Sequence, residues 1–444
     1  MWPRTPIRLT GRDGGRDIDL RAFARDGMAL HGRPERIAAG RAQFAAVNHV
    51  VGVLAGEQGV LPYRVGARER DRELVYEPIA QLKEAGFTAL RVPRELGGGG
   101  VTLRQFFRQL INLAAADSNI PQALRVHVNF VEDQRLANTS AGDAWLRAVV
   151  DGTVVGNAIT EPGAGSVGGY ATTLTKQDDG DYRLSGTKFY STGTLYADQI
   201  LVAADLDGER VGVLVDANAD GVEKVDDWNG FGQRLTASGT TVFTDVAVPA
   251  DRLLGAGYGA PGATYATSYL QLVQLAGLAG IAQRATDDTV AWVQARTRTF
   301  SHAAADLQRH DPLVQQVIGR LSSAAWSAKQ AVLAVADVLD DALADRRVHE
   351  DLVPEAELAA AHAQLAVIDT VLRATTDLFE VGGASIVDAD LRLDRHWRNA
   401  RTLAVHNPAI QKARAIGDLL LNGADLPYAW NAGARTAPTG TTAQ

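Results

Sequence analysis

Residues 154–193 read "VVGNAITEPGAGSVGGYATTLTKQDDGDYRLSGTKFYSTG", and this stretch decides the fold that we predict. Turn residues between alternating apolar runs indicate two short strands, with a glycine-rich loop at 163–169 after the first and a "DDGD" turn before the second. Polar residues crowd around the glycines: Asn157, Thr160, Glu161 and Ser166. The returning strand places aromatic faces beside two hydroxyls: Phe189, Tyr190, Ser191 and Thr192. An apolar wall with a few hydrogen-bonding groups suits the binding of a flat amphipathic heterocycle. The plainer interpretation is a solvated hairpin whose glycines only permit tight turns.

The composition is that of a globular protein with several domains. At 444 residues, the chain is too long for one compact core and indicates about three domain-sized units. It has no cysteine, which excludes a disulfide framework and fits the reducing cytoplasm, where we expect the protein to work. The net charge of −8 argues against nucleic-acid binding, because phosphate neutralisation needs a basic surface. The N-terminus lacks the apolar core of a signal peptide and no apolar run could span a bilayer, so we expect no membrane attachment.

Changes in periodicity divide the chain into segments. Residues 1–34 are expected to form a partly ordered arm, and 35–150 carry the patterns of a helical domain. Period two from 151 to 262 indicates a β-domain, and helical patterns return over 263–430 before a tail at 431–444 that we expect to be disordered. Apolar residues that recur every three or four positions predict one apolar stripe on each of two long helices of a bundle. The stripes are Val317, Leu321, Ala325, Ala328, Val332 and Val335, then Leu358, Leu365, Ile368, Leu372 and Phe379.

A second segment makes the opening stretch more specific. Residues 86–100 read "GFTALRVPRELGGGG" and fit the pattern GF-x-x-L-x-V-P-x-x-x-GG-x-G. Together, in this order, the two segments resemble the acyl-CoA dehydrogenase superfamily. The resemblance covers roughly 35–430 and implies an α+β fold. That fold has an N-terminal helical domain, a small, β-barrel-like middle β-domain and a C-terminal four-helix bundle.

In that family, the glycine-rich loop and the strand that ends in hydroxyl residues hold the isoalloxazine ring of a flavin. The resemblance therefore implies flavin contacts from six residues of the opening stretch: Thr160, Glu161, Gly165, Ser166, Tyr190 and Ser191. It also implies that Thr236 and Ser238 lie near the flavin edge. Trp228 and Phe231 are expected to wall the substrate pocket, although core packing explains both aromatic residues equally well.

Three further motifs resemble the cofactor groups of the family. Arg296 and Phe300 stand in "RTRTF", which resembles an R-x-x-x-F motif whose arginine reaches a cofactor phosphate across a subunit boundary. A guanidinium suits phosphate because it donates two aligned, charge-assisted hydrogen bonds. Gly382 and Gly383 in "FEVGGASI" resemble a segment that meets the cofactor of a neighbouring subunit, and "LRLDRHWRNAR" resembles the R-x-x-R-D-A-R run that follows it. The resemblance thus implies a homotetramer, a dimer of dimers. We find no G-x-G-x-x-G fingerprint that follows a strand and opens a helix, so no Rossmann nicotinamide site is evident.

The glutamate that an acyl-CoA dehydrogenase uses to remove a proton from its thioester substrate has no counterpart in this sequence. The family supplies it after the R-D-A-R run or from the first long helix of the bundle. No glutamate follows Glu380, and no carboxylate occurs between Asp251 and Asp287. His406 and Asn407 stand where the first glutamate would be. A histidine titrates near neutrality, so we expect His406 to move a proton beside the ring.

The missing glutamate favours oxygen chemistry over dehydrogenation. The combination resembles the flavin-dependent monooxygenases of the same fold, in the dibenzothiophene-monooxygenase and sulfur-acquisition branch. The resemblance implies reduced FMN, with FAD as the alternative, which reacts with O2 to a C4a-hydroperoxide and oxygenates a small substrate, above all a sulfide or sulfoxide sulfur. Ser191 would be the partner of flavin N5, with Asn157 at the same edge and His406 beside the ring. A separate NAD(P)H:flavin reductase is implied, and no metal site is expected.

Several alternatives remain open from the sequence. The branch can carry a second histidine where this chain has Leu403, so a relay of two histidines would require His127, which could face the substrate cavity or simply pack on its helix. The enzyme could instead be an FAD-dependent dehydrogenase of an unusual acyl thioester with His406 as the base. An amine N-hydroxylase, an aromatic hydroxylase and a non-catalytic relative are the other candidates. For His406 itself, the competing interpretation is a packing or capping residue beside Pro408.

Overall fold

The computed structural model describes residues 47–48, 65–162, 170–255, 265–344 and 346–427. The arm at 1–34, the tail at 431–444 and the glycine-rich loop with Gly165 and Ser166 lie outside the described residues. Within residues 65–427 of the described part, six α-helices come before the sheet and five follow it. The first six are α1 (Val65–Asp71), α2 (Tyr76–Glu84), α3 (Leu103–Ala116), α4 (Asn119–Ala123), α5 (Arg125–Ala137) and α6 (Ser140–Val150). The last five are α7 (Tyr265–Ala295), α8 (Pro312–Asp341), α9 (Val353–Asp377), α10 (Asp394–Ala404) and α11 (Ala409–Asn422).

Local signals set the segment between α2 and α3. Gly86 follows α2 with φ of 76°, a left-handed conformation that glycine adopts without strain. Thr102 caps α3 through a capping box with Gln105, which satisfies two free N–H groups at once. Between them the chain folds back on itself so tightly that a Cβ on Gly98 would lie 2.3 Å from the carbonyl oxygen of Val92. The glycines of this motif therefore allow close backbone packing.

The β-domain contains one eight-stranded mixed sheet in the order β6-β7-β3-β2-β4-β5-β8, with β1 paired to β4. Its strands are β1 (Val155–Ala158), β2 (Thr173–Lys176), β3 (Tyr182–Lys188), β4 (Gln199–Leu206), β5 (Glu209–Asp216), β6 (Val222–Val225), β7 (Thr240–Val248) and β8 (Leu253–Leu254). A further two-stranded ribbon joins α8 to α9: β9 (Leu343–Ala344) and β10 (Arg347–Val348). Buried apolar side chains of the sheet form a core of their own, centred on Leu184, Val202 and Val246.

The opening stretch forms three strands, where the sequence predicted two. The "DDGD" turn does close a hairpin, in which Lys176 of β2 pairs with Tyr182 of β3. However, β1 pairs in parallel with β4, and β3 ends at Lys188, so residues 189–192 follow the strand. Parallel strands are joined by a long crossover connection, so the local sequence around β1 does not indicate that its partner is β4.

Helix α7 lies at the centre of the C-terminal domain. It contacts α3, α8, α9 and α10, and its side chains are buried without a break from Thr267 to Ala282. A helix that is apolar on all sides is expected in such a position. The stripe predicted on α8 is buried throughout, whereas on α9 Ile368 is buried and the other predicted positions are half-buried. Among the helices that the structure describes, none has both the length and the hydropathy needed to cross a membrane.

The contact between α7 and α3 depends on a glycine. A Cβ on Gly280 would lie 2.4 Å from the Cβ of Ala114 and 2.6 Å from the carbonyl oxygen of Ile111. We expect Gly280→Ala to lower the free energy of unfolding by about 1–3 kcal/mol, because neither neighbour can move away cheaply. Gly319 is the matched control, since it is exposed on α8 with no atom within 4 Å of its added Cβ. Gly319→Ala should stabilise the helix by about 0.5–1 kcal/mol, and equal shifts of the urea midpoint in both variants would contradict this account.

Candidate functional site

The ends of β1 and β3 are pinned together by hydrogen bonds. The Thr160 hydroxyl donates to the Phe189 carbonyl at 2.8 Å and accepts from the Tyr190 N–H at 2.9 Å. The Asn157 side chain donates to the Tyr190 carbonyl at 3.1 Å, and its N–H donates to the Thr192 carbonyl at 3.1 Å. These contacts hold residues 189–192 against the end of β1. Asn157 and Thr160, both predicted at the cofactor, thus lie next to Tyr190.

Exposure alternates along this segment. The Tyr190 side chain is 50% exposed and its ring meets Trp228 edge-on, with 5.6 Å between the ring centroids. Ser191 is fully buried and its hydroxyl donates inward to the Lys188 carbonyl at 3.4 Å, whereas Thr192 is only half-buried. Tyr190 and Thr192 are therefore the side chains that this segment leaves open, with Ser191 buried between them. We call the surface formed by Asn157, Thr160, Tyr190, Thr192 and Trp228 the Tyr190 face.

This alternation bears on the predicted role of Ser191. A fully buried hydroxyl has no surface to offer a ligand, and the N5 contact proposed for Ser191 stays a prediction. Thr192 is the hydroxyl that the Tyr190 face presents. The sequence placed it among the hydroxyls of the aromatic wall but assigned the N5 contact to Ser191. No local signal distinguishes the two residues, because the difference depends on which side chain the tertiary fold buries.

Glu161 joins the two ends of the glycine-rich loop. Its carboxylate accepts hydrogen bonds from the N–H groups of Ala171 at 2.7 Å and Thr172 at 2.9 Å, and from the Lys188 ammonium at 2.7 Å. Burial opposes its charge, but the hydrogen bonds from Ala171, Lys188 and Thr172 together lower the pKa of Glu161. Burial in turn lowers the pKa of Lys188 to about 8. Both carboxylate oxygens of Glu161 are therefore used in hydrogen bonds within the chain, and the direct cofactor contact predicted for Glu161 stays a prediction.

His127 occupies a structural position. Its side chain is fully buried on α5, with Nε2 3.0 Å from the Thr88 carbonyl and Nδ1 accepting from the Val155 N–H at 3.3 Å. Nε2 therefore carries the hydrogen, and both ring nitrogens are used to join α5 to the segment before it and to β1. Burial lowers the pKa of His127 to about 4, so the ring is neutral at pH 7. The catalytic and substrate-pocket roles predicted for His127 have no support in this geometry, because the ring has neither an exposed atom nor an unused nitrogen.

His406 lies in the turn between α10 and α11. Its side chain is exposed to solvent, and partial desolvation by the neighbouring protein together with the Arg125 guanidinium lowers the pKa of His406. The proton-transfer role expected of His406 stays a prediction. Nδ1 lies 3.4 Å from the Asn407 amide oxygen, and the Asn407 amide nitrogen donates to the Gln271 side chain of α7 at 2.7 Å. Because the amide oxygen only accepts, the hydrogen belongs on Nδ1, which leaves Nε2 as an acceptor.

Sequence reasoning missed the amide pair of Asn407 and Gln271. Gln271 lies on the first long helix of the bundle, and Asn407 lies after the arginine-rich run. These are the two segments in which a dehydrogenase was expected to hold its glutamate, and here two amides bond to each other between them. A third amide, that of Gln364 on α9, donates to the Asn407 carbonyl at 2.9 Å and fixes the turn. The polar side chains that hold His406 are thus neutral.

The Tyr190 face and His406 flank the same junction between α4 and α5. A Cβ on Gly193, the residue after Thr192, would lie 2.2 Å from the Ala123 carbonyl. Arg125, whose charge acts on His406, follows Ala123 by two residues and donates to the Leu270 carbonyl at 3.2 Å. One junction therefore connects the aromatic face to the histidine. Together they offer an aromatic wall, a hydroxyl, an amide edge and a neutral imidazole.

A second cluster unites the predicted cofactor residues of the bundle. The Arg296 guanidinium lies 4.8 Å above the Trp292 ring, and its Nε is buried with no hydrogen-bond partner among the described residues. A Cβ on Gly382 would lie 2.6 Å from the Trp292 ring, and one on Gly383 would lie 2.8 Å from the Phe300 ring. The two glycines are thus needed for close packing against the R-x-x-x-F motif. A buried N–H without a partner beside this packed backbone suits an anionic group such as phosphate.

The arginine-rich run before His406 is engaged inside the chain. Arg395 and His396 both bond to Asp288 of α7, and Arg398 bonds to Glu69 of α1. These arginines join helices and are not free for a ligand. Phe231, predicted to wall the substrate pocket, stacks on Trp397 with 6.0 Å between the ring centroids, and its carbonyl accepts from Arg398. Its pocket role stays a prediction, whereas Trp228 lies against Tyr190.

Comparison with known proteins places the whole arrangement in one family. Residues 57–153 match the N-terminal domain of the acyl-CoA dehydrogenases, 156–246 the middle domain and 272–410 the C-terminal domain. A dibenzothiophene monooxygenase of Mycolicibacterium goodii is 27% identical over 370 residues, which cover 77% of this chain and 86% of that protein. The probable FMNH2-dependent monooxygenase SfnC of Pseudomonas putida is 27% identical, with 77% of this chain and 87% of that protein covered.

Solved structures agree with this placement. TdsC of Paenibacillus sp. A11-2, in a complex with FMN and indole, superposes with a TM-score of 0.79 at 25% identity, covering 87% of this chain and 98% of TdsC. The similarity therefore extends over the helical domain, the sheet and the bundle. From the three matching domains and this common architecture, the chain belongs to the acyl-CoA dehydrogenase family.

Proposed function

We propose that this chain is the oxygenase of a two-component, flavin-dependent monooxygenase. It takes reduced FMN and O2 and transfers one oxygen atom to a small organic substrate, with a sulfide or sulfoxide sulfur as the foremost target. The observation that carries the proposal is the pairing of an aromatic, hydroxyl-bearing face with a neutral His406 turn held by amides. The names of the relatives support it, since they describe dibenzothiophene and FMNH2-dependent monooxygenases and an FMN complex.

The residues present fit an FMN molecule. The exposed Tyr190 ring and Trp228 supply an aromatic wall, and Thr192 and Asn157 supply polar contacts for the edge of the ring. The buried Nε of Arg296, which lacks a partner among the described residues, suits the phosphate. Since Arg296 would act across a subunit boundary, as the family resemblance implies, each site would combine two chains. Bound reduced FMN supplies the electrons that activate O2.

His406 would act through its free Nε2. Because the ring is neutral at pH 7 and Nδ1 faces Asn407, Nε2 can accept a hydrogen bond from substrate or water. The nearby Arg125 adds positive charge that favours an electron-rich substrate group. A glutamate at the position of Asn407 or Gln271 would be suited to removing a proton from a substrate carbon. Because amides stand there instead, the site favours oxygenation over dehydrogenation.

Incorporation of isotopically labelled O2 tests the proposed function. Purified protein would be mixed with photoreduced FMN, labelled O2 and one of three panels: aromatic sulfides, amines or phenols. We expect labelled sulfoxide or sulfone, with one labelled atom transferred per reaction and the other released as water. Products labelled only in the amine or phenol panel would move the target atom to nitrogen or carbon. Bleaching of bound FAD by an acyl-CoA without O2 would instead establish a dehydrogenase.

The partners follow from the same proposal. The name of the relative SfnC, a probable FMNH2-dependent monooxygenase, supports a separate NAD(P)H:flavin reductase in the cytoplasm that would supply the reduced FMN. A homotetramer is supported by large apolar side chains that the single chain leaves open on α8 and α11. Trp326 is 65% exposed, Leu420 73% and Leu421 84%. Large apolar side chains that are exposed to this extent are typical of association sites.

Arg296→Met should weaken FMN binding by about ten- to a hundredfold, because it removes charge-assisted hydrogen bonds to the phosphate. Arg298→Met is the matched control, since Arg298 is an exposed arginine two residues further along the same segment. Equilibrium dialysis of FMN and of riboflavin, which lacks the phosphate, would separate the two effects. We expect riboflavin affinity to be unchanged in Arg296→Met. An equal loss for both ligands would mean that the variant disturbs the fold instead of a phosphate contact.

A further inference from the structure

Three hydroxyl groups form a continuous chain that leads inward from the Tyr190 face. The Thr192 oxygen lies 2.8 Å from the Ser238 oxygen, which lies 2.8 Å from the Thr236 oxygen. The Thr236 hydroxyl lies 2.8 Å from the carbonyl oxygen of Gln233 and donates to it. Thr236 is 1% exposed and Ser238 is 7% exposed, whereas Thr192 is half-buried. The chain therefore starts at the candidate ligand surface and ends on a backbone carbonyl in the interior.

The carbonyl at its end gives this chain a direction. A carbonyl oxygen can only accept, so Thr236 must give its one hydrogen to Gln233. Ser238 must then donate to Thr236, and Thr192 must donate to Ser238. The opposite order would bring the Thr236 oxygen to 2.8 Å from the Gln233 carbonyl with no hydrogen between them. Only the inward order makes all three contacts hydrogen bonds.

The end of the chain is itself held in place. The Gln233 N–H donates to the Asn399 side chain at 2.6 Å, and the same Gln233 carbonyl accepts from the Trp228 indole at 3.0 Å. The acceptor that orders the hydroxyls therefore cannot turn away without breaking contacts to α10 and to the Tyr190 face. The consequence is that Thr192 has given its hydrogen inward and offers only lone pairs on its open side.

We propose that Ser238 and Thr236 fix Thr192 as a hydrogen-bond acceptor and thereby make this site select reduced over oxidised FMN. The inference rests on the proposed function, in which the polar edge of the flavin meets Thr192. Reduced flavin carries a hydrogen on N5, which such an oxygen can accept. Oxidised flavin carries a lone pair on N5, which the lone pairs of Thr192 repel. The site would thus bind the form that the reductase delivers and release the spent form.

Ser238 and Thr236 are positioning residues in this account, because both act through Thr192. Thr236→Val keeps the shape of the side chain and removes the hydroxyl that accepts from Ser238. The Ser238 hydrogen can then turn to Thr192, which becomes able to donate outward. Ser238→Ala frees the Thr192 hydrogen directly. Both variants should therefore shift the preference in the same direction, toward oxidised FMN.

Binding of the two oxidation states measures the effect without any turnover. Oxidised FMN would be titrated in air and photoreduced FMN under anaerobic conditions, both by flavin fluorescence and absorbance. We expect the wild-type protein to bind reduced FMN at least about tenfold more tightly, and each variant to lower this ratio by about tenfold, as for one hydrogen bond. A tenfold change in the ratio corresponds to about 30 mV in the two-electron midpoint potential of bound FMN, which spectroelectrochemistry would measure independently.

Thr194→Val is the matched control. Thr194 is buried nearby, and its hydroxyl donates to the Ser191 carbonyl at 2.8 Å, outside the hydroxyl chain. In Thr194→Val the ratio of the affinities for reduced and oxidised FMN should stay at the wild-type value. Equal wild-type affinities for both forms, or an unchanged ratio in Thr236→Val and Ser238→Ala, would overturn the inference. A wild-type protein that binds neither form would instead overturn the proposed function on which it rests.

Discussion

His406→Ala should lower the rate of substrate oxygenation by about a hundredfold, the scale expected when a group that positions the reactants is lost. The variant should keep its affinity for reduced FMN, because the aromatic face and Arg296 remain intact. The reason for the loss is that Nε2, held as an acceptor by the Nδ1 contact to Asn407, would have no replacement. Single-turnover reactions with excess reduced FMN and a sulfide substrate would measure the rate without limitation by the reductase.

The control for this change is His362→Ala, since His362 is an exposed histidine on α9. It should leave the rate within about twofold of wild type, as expected of surface substitutions without special contacts. Full activity in His406→Ala would refute the role of Nε2 as a hydrogen-bond acceptor in the reaction. A parallel loss of FMN affinity and thermal stability would show that His406 is a packing residue beside Pro408.

The pH dependence supplies a second test of His406. Its pKa is lowered to about 3 by the surrounding protein and by Arg125, so the neutral ring is lost only as the pH falls toward that value. A ring that had to be protonated would give a rate that decreases as the pH rises through neutrality. We expect no such decrease that depends on His406: the ratio of wild-type to His406→Ala rates should be constant between about pH 6 and pH 9.

Local signals in the sequence predicted the parts of the fold that depend on neighbouring residues. Gly86 ends α2 because the left-handed turn needs a glycine, and Thr102 starts α3 because its side chain caps that helix. The α8 stripe was confirmed for the same reason, since helical spacing alone decides which residues share a face. On α9 the stripe was less accurate, because the helix is covered by α7 and by α11 on different sides.

The candidate site was less predictable because its contacts join distant segments. The two ring nitrogens of His127 are used by Thr88 and Val155, which only the tertiary fold brings to one place. Either Ser191 or Thr192 could present its hydroxyl to a ligand, as far as the sequence shows. The answer depends on which of the two side chains the fold leaves open, and no local pattern decides this. The pKa of His406 depends on Arg125 of another helix. Sequence could identify these residue types but not their partners.

The largest loss of stability is expected at the buried pair of Arg91 and Glu132. The Arg91 guanidinium meets both carboxylate oxygens of Glu132, at 2.5 Å and 3.1 Å, and also donates to the Val101 carbonyl. Glu132 is 1% exposed and Arg91 is 5% exposed. This pair joins the GF…GG segment to α5, the helix that begins at Arg125. The pair therefore supports the helix end near His406.

Glu132→Gln should lower the free energy of unfolding by about 3–5 kcal/mol, because it leaves the Arg91 charge buried without its counter-charge. The matched control is Asp133→Asn, the same carboxyl-to-amide change one residue later. Burial and the adjacent Glu132 raise the pKa of Asp133 to about 7, so its charge is already disfavoured in the folded protein. Removing that charge should therefore cost less than about 1 kcal/mol.

Adding Arg91→Met to Glu132→Gln separates the charge effect from simple loss of contacts. The double variant removes the stranded charge along with its partner, and a methionine fills part of the space that the arginine leaves. We expect it to be at least as stable as Glu132→Gln alone, since a buried pair replaced by apolar groups is often close to neutral. Urea unfolding of the wild-type protein, Glu132→Gln, Arg91→Met and the double variant would complete a double-mutant cycle. If the two single losses simply added, the pair would not be coupled, and the stability of this junction would have to come from the apolar packing around it.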